Sequence, residues 1–288
     1  MRAGGQYRQG STLSRLHRDW RVFISFTLLT YLFSWGIWTV MAAGMFPRSL
    51  DAILGRLGGF GPLVGALGVL WLSDWSVREW FTSNVTVRLP LRWYGYALLL
   101  PPLLVGAGGL VHATLFGETM GLDSLPPFWV YPINLLIVFF IGGGQEELGW
   151  RGFALPAAQG QLSALSSSLL VGVVWAGWHL PLFVLPNTPQ GDLPFLPYLL
   201  AVVGLSVVLT WLYNGSGGSV LVAMLFHGGI NPLGAYFPTG GVDAISTLSG
   251  YSSYALVVVA FAVVLAITTG GTDLARQSRV LLGDIVAR

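Results

Sequence analysis

The amino-acid sequence predicts an all-α fold, a polytopic membrane helix bundle of about eight transmembrane helices, and three observations carry that prediction. Of the 288 residues, 54% are apolar and only 9% are charged, whereas a soluble globular domain carries about 25% charged residues. Eight apolar segments have roughly the 20 residues that are needed to cross a hydrocarbon core. Arginines gather on one side of the membrane when these segments are threaded through it. The composition therefore excludes a water-soluble protein and a disordered one.

The eight predicted helices follow the apolar runs along the chain, at residues 22–43, 57–73, 93–116, 128–155, 168–186, 196–213, 219–236 and 252–270. The first run is too long for the apolar core of a cleavable signal peptide. The second is short and rich in glycine, which weakens a helix. The third, fourth, fifth and seventh segments also carry ionisable side chains. A Pro- and Asn-containing loop at 186–192 precedes the sixth helix, and a Gly/Ser-rich turn at 214–218 follows it.

Arginine supplies all 14 positive charges, so its placement predicts the orientation. With eight spans, twelve arginines lie on one side, in the N-terminal tail, the second loop, at Arg151 and in the C-terminal tail, and only Arg48 and Arg56 lie on the other. The positive-inside rule then places both termini in the cytoplasm, and we expect an integral protein of a prokaryotic plasma membrane. The net charge of +2 indicates no nucleic-acid-binding surface, and the absence of cysteine excludes a thiolate metal site and a cysteine nucleophile.

Polar side chains at membrane depth are candidates for function because they are costly there. The fourth segment carries Glu146, Glu147 and Arg151 after three consecutive glycines, which allow a close backbone approach. Glu147 and Arg151 are four residues apart, so the sequence predicts a structural ion pair between them and leaves Glu146 free to face the interior.

The histidines of the other segments are either candidates for function or structural. His179 lies on the fifth segment, and His227 and Asn231 share one face of the seventh because they are four residues apart. His112 has no polar partner at helical spacing, so we interpret it as structural.

Helix geometry places the candidate residues in one layer. At 1.5 Å per residue, Glu146, His179, His227 and Asn231 lie about 12–18 Å above the cytoplasmic helix ends. This agreement requires residues 157–167 to be a loop or an interfacial helix, with the fifth helix starting near residue 168. We expect Arg151 near the cytoplasmic boundary, and a cavity around the four residues that opens to the cytoplasm.

At one depth the sequence places a carboxylate, two imidazoles and a carboxamide, and side chains of these kinds can together catalyse hydrolysis. The carboxylate and one histidine can activate a water, and the other histidine with the asparagine can stabilise an oxyanion. The same atoms allow another mechanism, in which Glu146, His179 and His227 bind one zinc ion that activates the water. The sequence leaves both open, with one divalent metal or none.

Three short motifs stand in order on the apolar helices: Glu146-Glu147-x-x-x-Arg151, Trp175-x-x-x-His179 and His227-x-x-x-Asn231. Over residues 128–237 the chain thereby resembles the CAAX prenyl protease and bacteriocin-processing family, also called the type II CAAX protease or abortive-infection family. These proteins are intramembrane endopeptidases. In that family the second motif usually begins with Phe, but an aromatic side chain is kept in Trp175, so we expect little effect.

The resemblance implies roles for the candidate residues. Glu146 and His179 would activate the water, His227 and Asn231 would form the oxyanion site, and Glu147 and Arg151 would support them. The substrate would be a membrane-associated protein or peptide, prenylated at a CAAX sequence in eukaryotic members, and membrane lipid would be the other partner.

The sequence predicts three parts and leaves two other functions open. Residues 1–125 form transmembrane helices without a motif, residues 128–237 the catalytic core, and residues 238–288 the last helix and a basic tail. A small proton-coupled transporter would also use intramembrane Glu, His and Arg. A non-catalytic immunity or scaffold protein would have lost motif residues, but all six are present.

Overall fold

The computed structural model describes residues 12–185 and 188–286, apart from the side chains of residues 12–18 and 124. Within that part of the chain the regular structure is entirely helical, which confirms the predicted fold class. The N-terminal half contains α1 (Thr12–Ala42), α2 (Asp51–Gly58), α3 (Gly61–Leu72), α4 (Val77–Asn84), α5 (Leu91–Phe116) and α6 (Val130–Ile141), with short 3-10 turns at Arg48–Leu50 and Leu122–Ser124.

The C-terminal half begins with an irregular helix, α7, over residues 144–159. It consists of a 3-10 turn (Gly144–Glu146), an α-helical turn (Glu147–Gly149), a π-helical turn (Trp150–Ala154) and a final α-helical stretch (Leu155–Gln159). The later helices are α8 (Ala164–Trp178), α9 (Phe195–Gly215), α10 (Val220–Ile230), α11 (Gly241–Ile245), α12 (Leu248–Thr269) and α13 (Leu282–Ile285). A 3-10 turn follows α8 at Leu180–Phe183, and another follows α10 at Asn231–Tyr236.

Four described helices are long and apolar enough to cross a membrane: Asp19–Ala42, Leu91–Phe116, Phe195–Gly215 and Leu248–Thr269. The segment from Arg48 to Gly58 and α3 together make a fifth candidate, bent by 49°. This bend lies in the glycine-rich second segment, where the sequence predicts the weakest helix. The protein is therefore a polytopic helix bundle, and the exact count of eight spans stays a prediction.

The helix breaks coincide with the polar residues of the sequence motifs. The fourth predicted segment is not one helix, because α6 ends at Ile141 and α7 begins at Gly144, after two intervening residues. His179 caps the end of α8, and Asn231 caps the end of α10. Helix ends leave backbone groups without helical partners, and at these breaks Glu146 and His179 are buried whereas Asn231 is exposed.

The irregular helix α7 lies at the centre of the bundle. Every residue from Gly143 to Gln159 is buried, and α1, α3, α8, α9 and α10 all pack against this stretch. Glycine permits one of these contacts, since a Cβ atom at Gly149 would lie 2.3 Å from the carbonyl oxygen of Pro62 on α3. The helix that carries Glu146, Glu147 and Arg151 is thus enclosed on all sides by other helices.

The predicted start of the fifth helix is wrong. Helix α8 begins at Ala164, where Ser163 Oγ accepts the backbone N–H of Ser166 at 3.2 Å. Helix α7 also extends further than expected, to Gln159. Both helices therefore extend beyond their predicted ends, to the turn at residues 160–163. Counted from there at 1.5 Å per residue, Glu146 and His179 still lie at similar levels, about 20 and 22 Å.

Candidate active site

A break at three glycines positions the polar residues. After α6, Gly143 adopts a φ of +139°, a backbone conformation that residues with a Cβ atom rarely adopt. The Gly142 carbonyl accepts a hydrogen bond from Asn231 Nδ2 at 3.0 Å. A Cβ atom at Gly143 would lie 2.6 Å from both Asn231 Nδ2 and His227 Nε2. The predicted close backbone approach is therefore present, and it brings the first and third motifs together.

Glu146 lies just after the break, in the first turn of α7, and its side chain is buried. Its carboxylate atom Oε2 accepts a hydrogen bond from the indole Nε1 of Trp175 at 3.0 Å. The adjacent Glu147 points elsewhere, because neighbouring helical residues are about 100° apart. The two glutamates consequently have different partners, as the sequence predicts.

Glu147 forms the predicted ion pair with Arg151. Nη1 of Arg151 lies 3.1 and 3.0 Å from the two carboxylate oxygens, and both side chains are fully buried. Nη2 of Arg151 donates to Ser206 Oγ on α9 at 3.0 Å. The guanidinium is enclosed by its partners and is not exposed, so it does not reach water by itself. Its depth in the membrane stays a prediction, as does the orientation that the arginines indicate.

Glu147 has a second partner that the sequence did not predict. Its Oε1 lies 2.7 Å from His227 Nδ1. A carboxylate paired with a guanidinium accepts hydrogen bonds, so Nδ1 is the donor. This bond fixes the ring so that Nε2 is directed at the Gly143 backbone and the Asn231 amide. Glu147 therefore orients His227 in addition to balancing Arg151.

His179 is held by its own helix. Its Nδ1 lies 2.9 Å from the backbone oxygen of Trp175, and because a carbonyl only accepts, Nδ1 carries the proton. The ring also packs against Trp178 and Tyr198, with centroid distances of 4.6 and 5.7 Å. In the neutral ring Nε2 is then an acceptor, and it has no hydrogen-bond partner in the described part of the chain.

The side chain of Trp175 joins the candidate residues. Besides the bond to Glu146, its ring lies 5.1 Å from the His227 ring and 6.2 Å from the His179 ring, and the Arg151 guanidinium lies over it at 5.0 Å. The structure thus brings the three motifs to one place. Asn231 is the exposed member, whereas Glu146, His179 and His227 are buried.

The fit of a metal ion can be tested on these side chains. Among the described residues, no three His, Cys, Asp or Glu side chains converge closely enough to hold one. The predicted candidates already have other contacts, since Glu146 accepts from Trp175 and His227 donates to Glu147. As arranged, the residues do not fit a zinc centre.

A groove of about 430 Å³ lies beside the site. It runs between α5, the start of α6 and the 3-10 turn that follows Asn231, and its lining is mainly apolar: Pro102, Val105, Gly106, Phe128, Tyr131, Pro132, Leu233 and Tyr236. Glu146, His179, His227 and Asn231 do not line this groove, so it is not the cavity that the sequence predicts around them. The predicted opening toward the cytoplasm stays a prediction.

Comparison with known proteins agrees with this geometry. Residues 127–233 match the family model of the Rce1-like type II CAAX prenyl endopeptidases. Over that segment the chain is similar to the type II CAAX prenyl endopeptidases. All six predicted site residues lie within the matched range, although the division of the chain at 125 and 237 stays a prediction.

A curated relative supports the same assignment. The chain is 30% identical over 105 residues to CAAX prenyl protease 2 of Methanococcus maripaludis. The match covers 34% of this chain and 39% of the relative, so it spans about two fifths of that protein's length. The resemblance stated from the motifs is thereby confirmed for the CAAX endopeptidase segment, and the remaining helices lie outside it.

Two contacts of the site were missed by the sequence reasoning, the Glu147–His227 bond and the Trp175–Glu146 bond. The first joins residues 80 apart in the chain, for which helical spacing gives no signal. The second did have a signal, because the indole of tryptophan has an N–H donor that the usual phenylalanine lacks.

Proposed function

We propose that the protein is an intramembrane endopeptidase that hydrolyses a peptide bond in a membrane-associated protein or peptide, with prenylated CAAX-type proteins as the first substrates to test. The observation that carries the proposal is the convergence of Glu146, His179, His227 and Asn231 at the glycine break. The family of residues 127–233 and the name of the archaeal relative support the same reaction.

Glu146 is proposed as the general base. Its Oε2 is held by Trp175, and its second oxygen takes a proton from water as the water attacks the substrate carbonyl carbon. His179 assists through Nε2, which is an acceptor because Nδ1 donates to the Trp175 carbonyl. The protonated carboxyl of Glu146 then returns the proton to the departing amine when the C–N bond breaks.

His227 and Asn231 are proposed to stabilise the oxyanion of the tetrahedral intermediate. Both Nε2 and Nδ2 face the same point beside Gly143. Asn231 uses one amide proton for the Gly142 carbonyl and has a second to donate. His227 donates from Nε2 when the ring is doubly protonated, and that charge has a counter-ion in Glu147. With His227 protonated, the negative charges of Glu146 and Glu147 balance the positive charges of Arg151 and His227, so the site is electrically neutral.

No step of this mechanism passes through a metal ion, because the described side chains do not form a ligand set for one. Zinc bound by Glu146, His179 and His227 would supply a metal-activated water instead. A chelator distinguishes the two mechanisms, since only the second requires a metal for cleavage.

The test is cleavage by the full-length protein in detergent, of a farnesylated CAAX peptide, the same peptide without the lipid, and an unrelated peptide library. Glu146→Gln keeps the shape of the side chain and removes the base, so we expect cleavage to fall by about 10²–10⁴-fold. Glu118→Gln is the matched control, because Glu118 is an exposed carboxylate in the loop after α5. A fully active Glu146→Gln variant would reject the mechanism.

A further inference from the structure

Trp175 contacts more of the candidate active site than any catalytic group does. The indole N–H donates to Glu146 Oε2 at 3.0 Å, and the backbone carbonyl of the same residue accepts from His179 Nδ1 at 2.9 Å. One residue therefore holds both of the groups that are proposed to activate the water.

The surroundings fix the indole in one orientation. Trp175 is 3% exposed and packs edge-on against His227, with the Arg151 guanidinium over its ring. Stacking of a cation on a buried indole face is favourable and leaves the ring edge, with its N–H, directed at the carboxylate. The arginine pairs with Glu147, four residues before it, while its guanidinium lies over the indole ring.

A bond from a buried N–H to a carboxylate is stronger than a bond between neutral groups. It also selects between the two carboxylate oxygens. With Oε2 engaged by the Trp175 indole, Oε1 is the oxygen that can take a proton, and the Trp150 indole lies nearby as a second, weaker neighbour of the carboxylate. A phenylalanine ring would fill most of the same space without a donor. The expectation that tryptophan at this position has little effect overlooks that donor.

We propose that Trp175 is a positioning residue of the endopeptidase reaction, whose indole N–H holds Glu146 Oε2 so that Oε1 faces the attacking water. The inference rests on the proposed function and deepens it. Trp175 does not contact the reacting atoms itself. It acts by keeping the general base in one rotamer, and proton transfer is sensitive to displacements of that base.

The test compares two identical substitutions, Trp175→Phe and Trp80→Phe. Trp80 is equally buried on α4, and its Nε1 donates to the Gly152 carbonyl at 2.8 Å, so each variant loses one indole hydrogen bond and the same volume. We expect the unfolding temperature to fall in both variants. For Trp175→Phe alone, kcat should fall by roughly ten- to a hundredfold, the effect of losing a hydrogen bond to a charged group, with KM unchanged.

A spectroscopic measurement tests the bond directly. The indole ¹⁵N–¹H resonance of Trp175, assigned by its loss in Trp175→Phe, should shift in Glu146→Gln and stay in place in Glu118→Gln. Equal kcat values for the two phenylalanine variants, or an indole resonance that ignores Glu146→Gln, would overturn the inference while leaving the proposed function intact. If the parent protein cleaves no peptide, the proposed function fails and the positioning role fails with it.

Discussion

Two regions of the bundle contain buried histidines, and they differ in what the ring nitrogens contact. His112 on α5 uses both nitrogens, Nδ1 with Thr239 Oγ1 at 2.8 Å and Nε2 with Ser249 Oγ at 3.0 Å. His179 and His227 use only Nδ1, and the Nε2 atom of each has no hydrogen-bond partner among the described residues. His112 has both ring nitrogens engaged and acts as a structural clasp, whereas an Nε2 atom without a hydrogen-bond partner is available for chemistry.

The comparison teaches that burial alone does not mark a functional histidine in a membrane protein. All three rings are buried, and all contact aromatic side chains. The charged groups distinguish them, because Glu146, Glu147 and Arg151 lie on α7 beside the candidate site, while the partners of His112 are hydroxyl groups. The structural interpretation of His112 from its sequence neighbourhood agrees with this arrangement.

The largest expected effect separates the two regions by activity. His179→Ala should lower kcat/KM for peptide cleavage by about 10²–10⁴-fold, because it removes an acceptor nitrogen from the water-activating pair. The unfolding temperature should also fall, because the variant loses a buried ring that packs against Trp178 and Tyr198, so kcat/KM is compared for folded protein. Steady-state kinetics and thermal unfolding of the same preparation measure both. A His179→Ala protein with parental kcat/KM would remove the distinction between the regions.

The next effect concerns the charges that distinguish the candidate site. Glu147→Ala leaves Arg151 as a buried charge without its carboxylate, so the free energy of unfolding should fall by about 3–5 kcal/mol. Because Glu147 also orients His227, cleavage by the folded fraction should fall too, which differs from the purely structural role that the sequence suggests. Denaturant titration in detergent checks the stability. Asp273→Ala is a control, since that carboxylate pairs with Arg279 at 3.5 Å and is partly exposed.

A third prediction tests the close approach at the glycine break. Gly143→Ala places a methyl group 2.6 Å from the His227 and Asn231 nitrogens and strains a backbone with φ of +139°. We expect kcat to fall by about 10²-fold, as displacements near 1 Å do. Gly36→Ala is the matched control, because a Cβ atom on that residue of α1 meets nothing within 4 Å. Equal activity of the two variants would show that His227 and Asn231 tolerate displacement.

The smallest effect lies in the histidine clasp. His112→Ala leaves the hydroxyl groups of Thr239 and Ser249 without their partner, so the free energy of unfolding should fall by about 1–3 kcal/mol. The kcat of the folded protein should stay at the parental value. A loss of cleavage by a properly folded His112→Ala protein would contradict the comparison.

The sequence by itself determined the features that depend on local helical geometry and composition. The apolar content predicts a polytopic helix bundle, because the chain has too few polar side chains to cover a surface in water. The Glu147–Arg151 pair follows from a spacing of four residues, which any helix turns into a contact. The glycines before Glu146 predict a close approach because they lack side chains. The motifs themselves predict the resemblance that the family model then matches over residues 127–233.

Only the tertiary structure decided how the helices meet. The bond from His227 to Glu147 and the bond from Trp175 to Glu146 join residues 80 and 29 apart, and both depend on how each helix is rotated about its axis. The same holds for Arg151, which the sequence placed near the membrane boundary and which packing encloses. Spacing along a helix fixes which residues share its face, but that face acquires a partner only when the other helices pack against it.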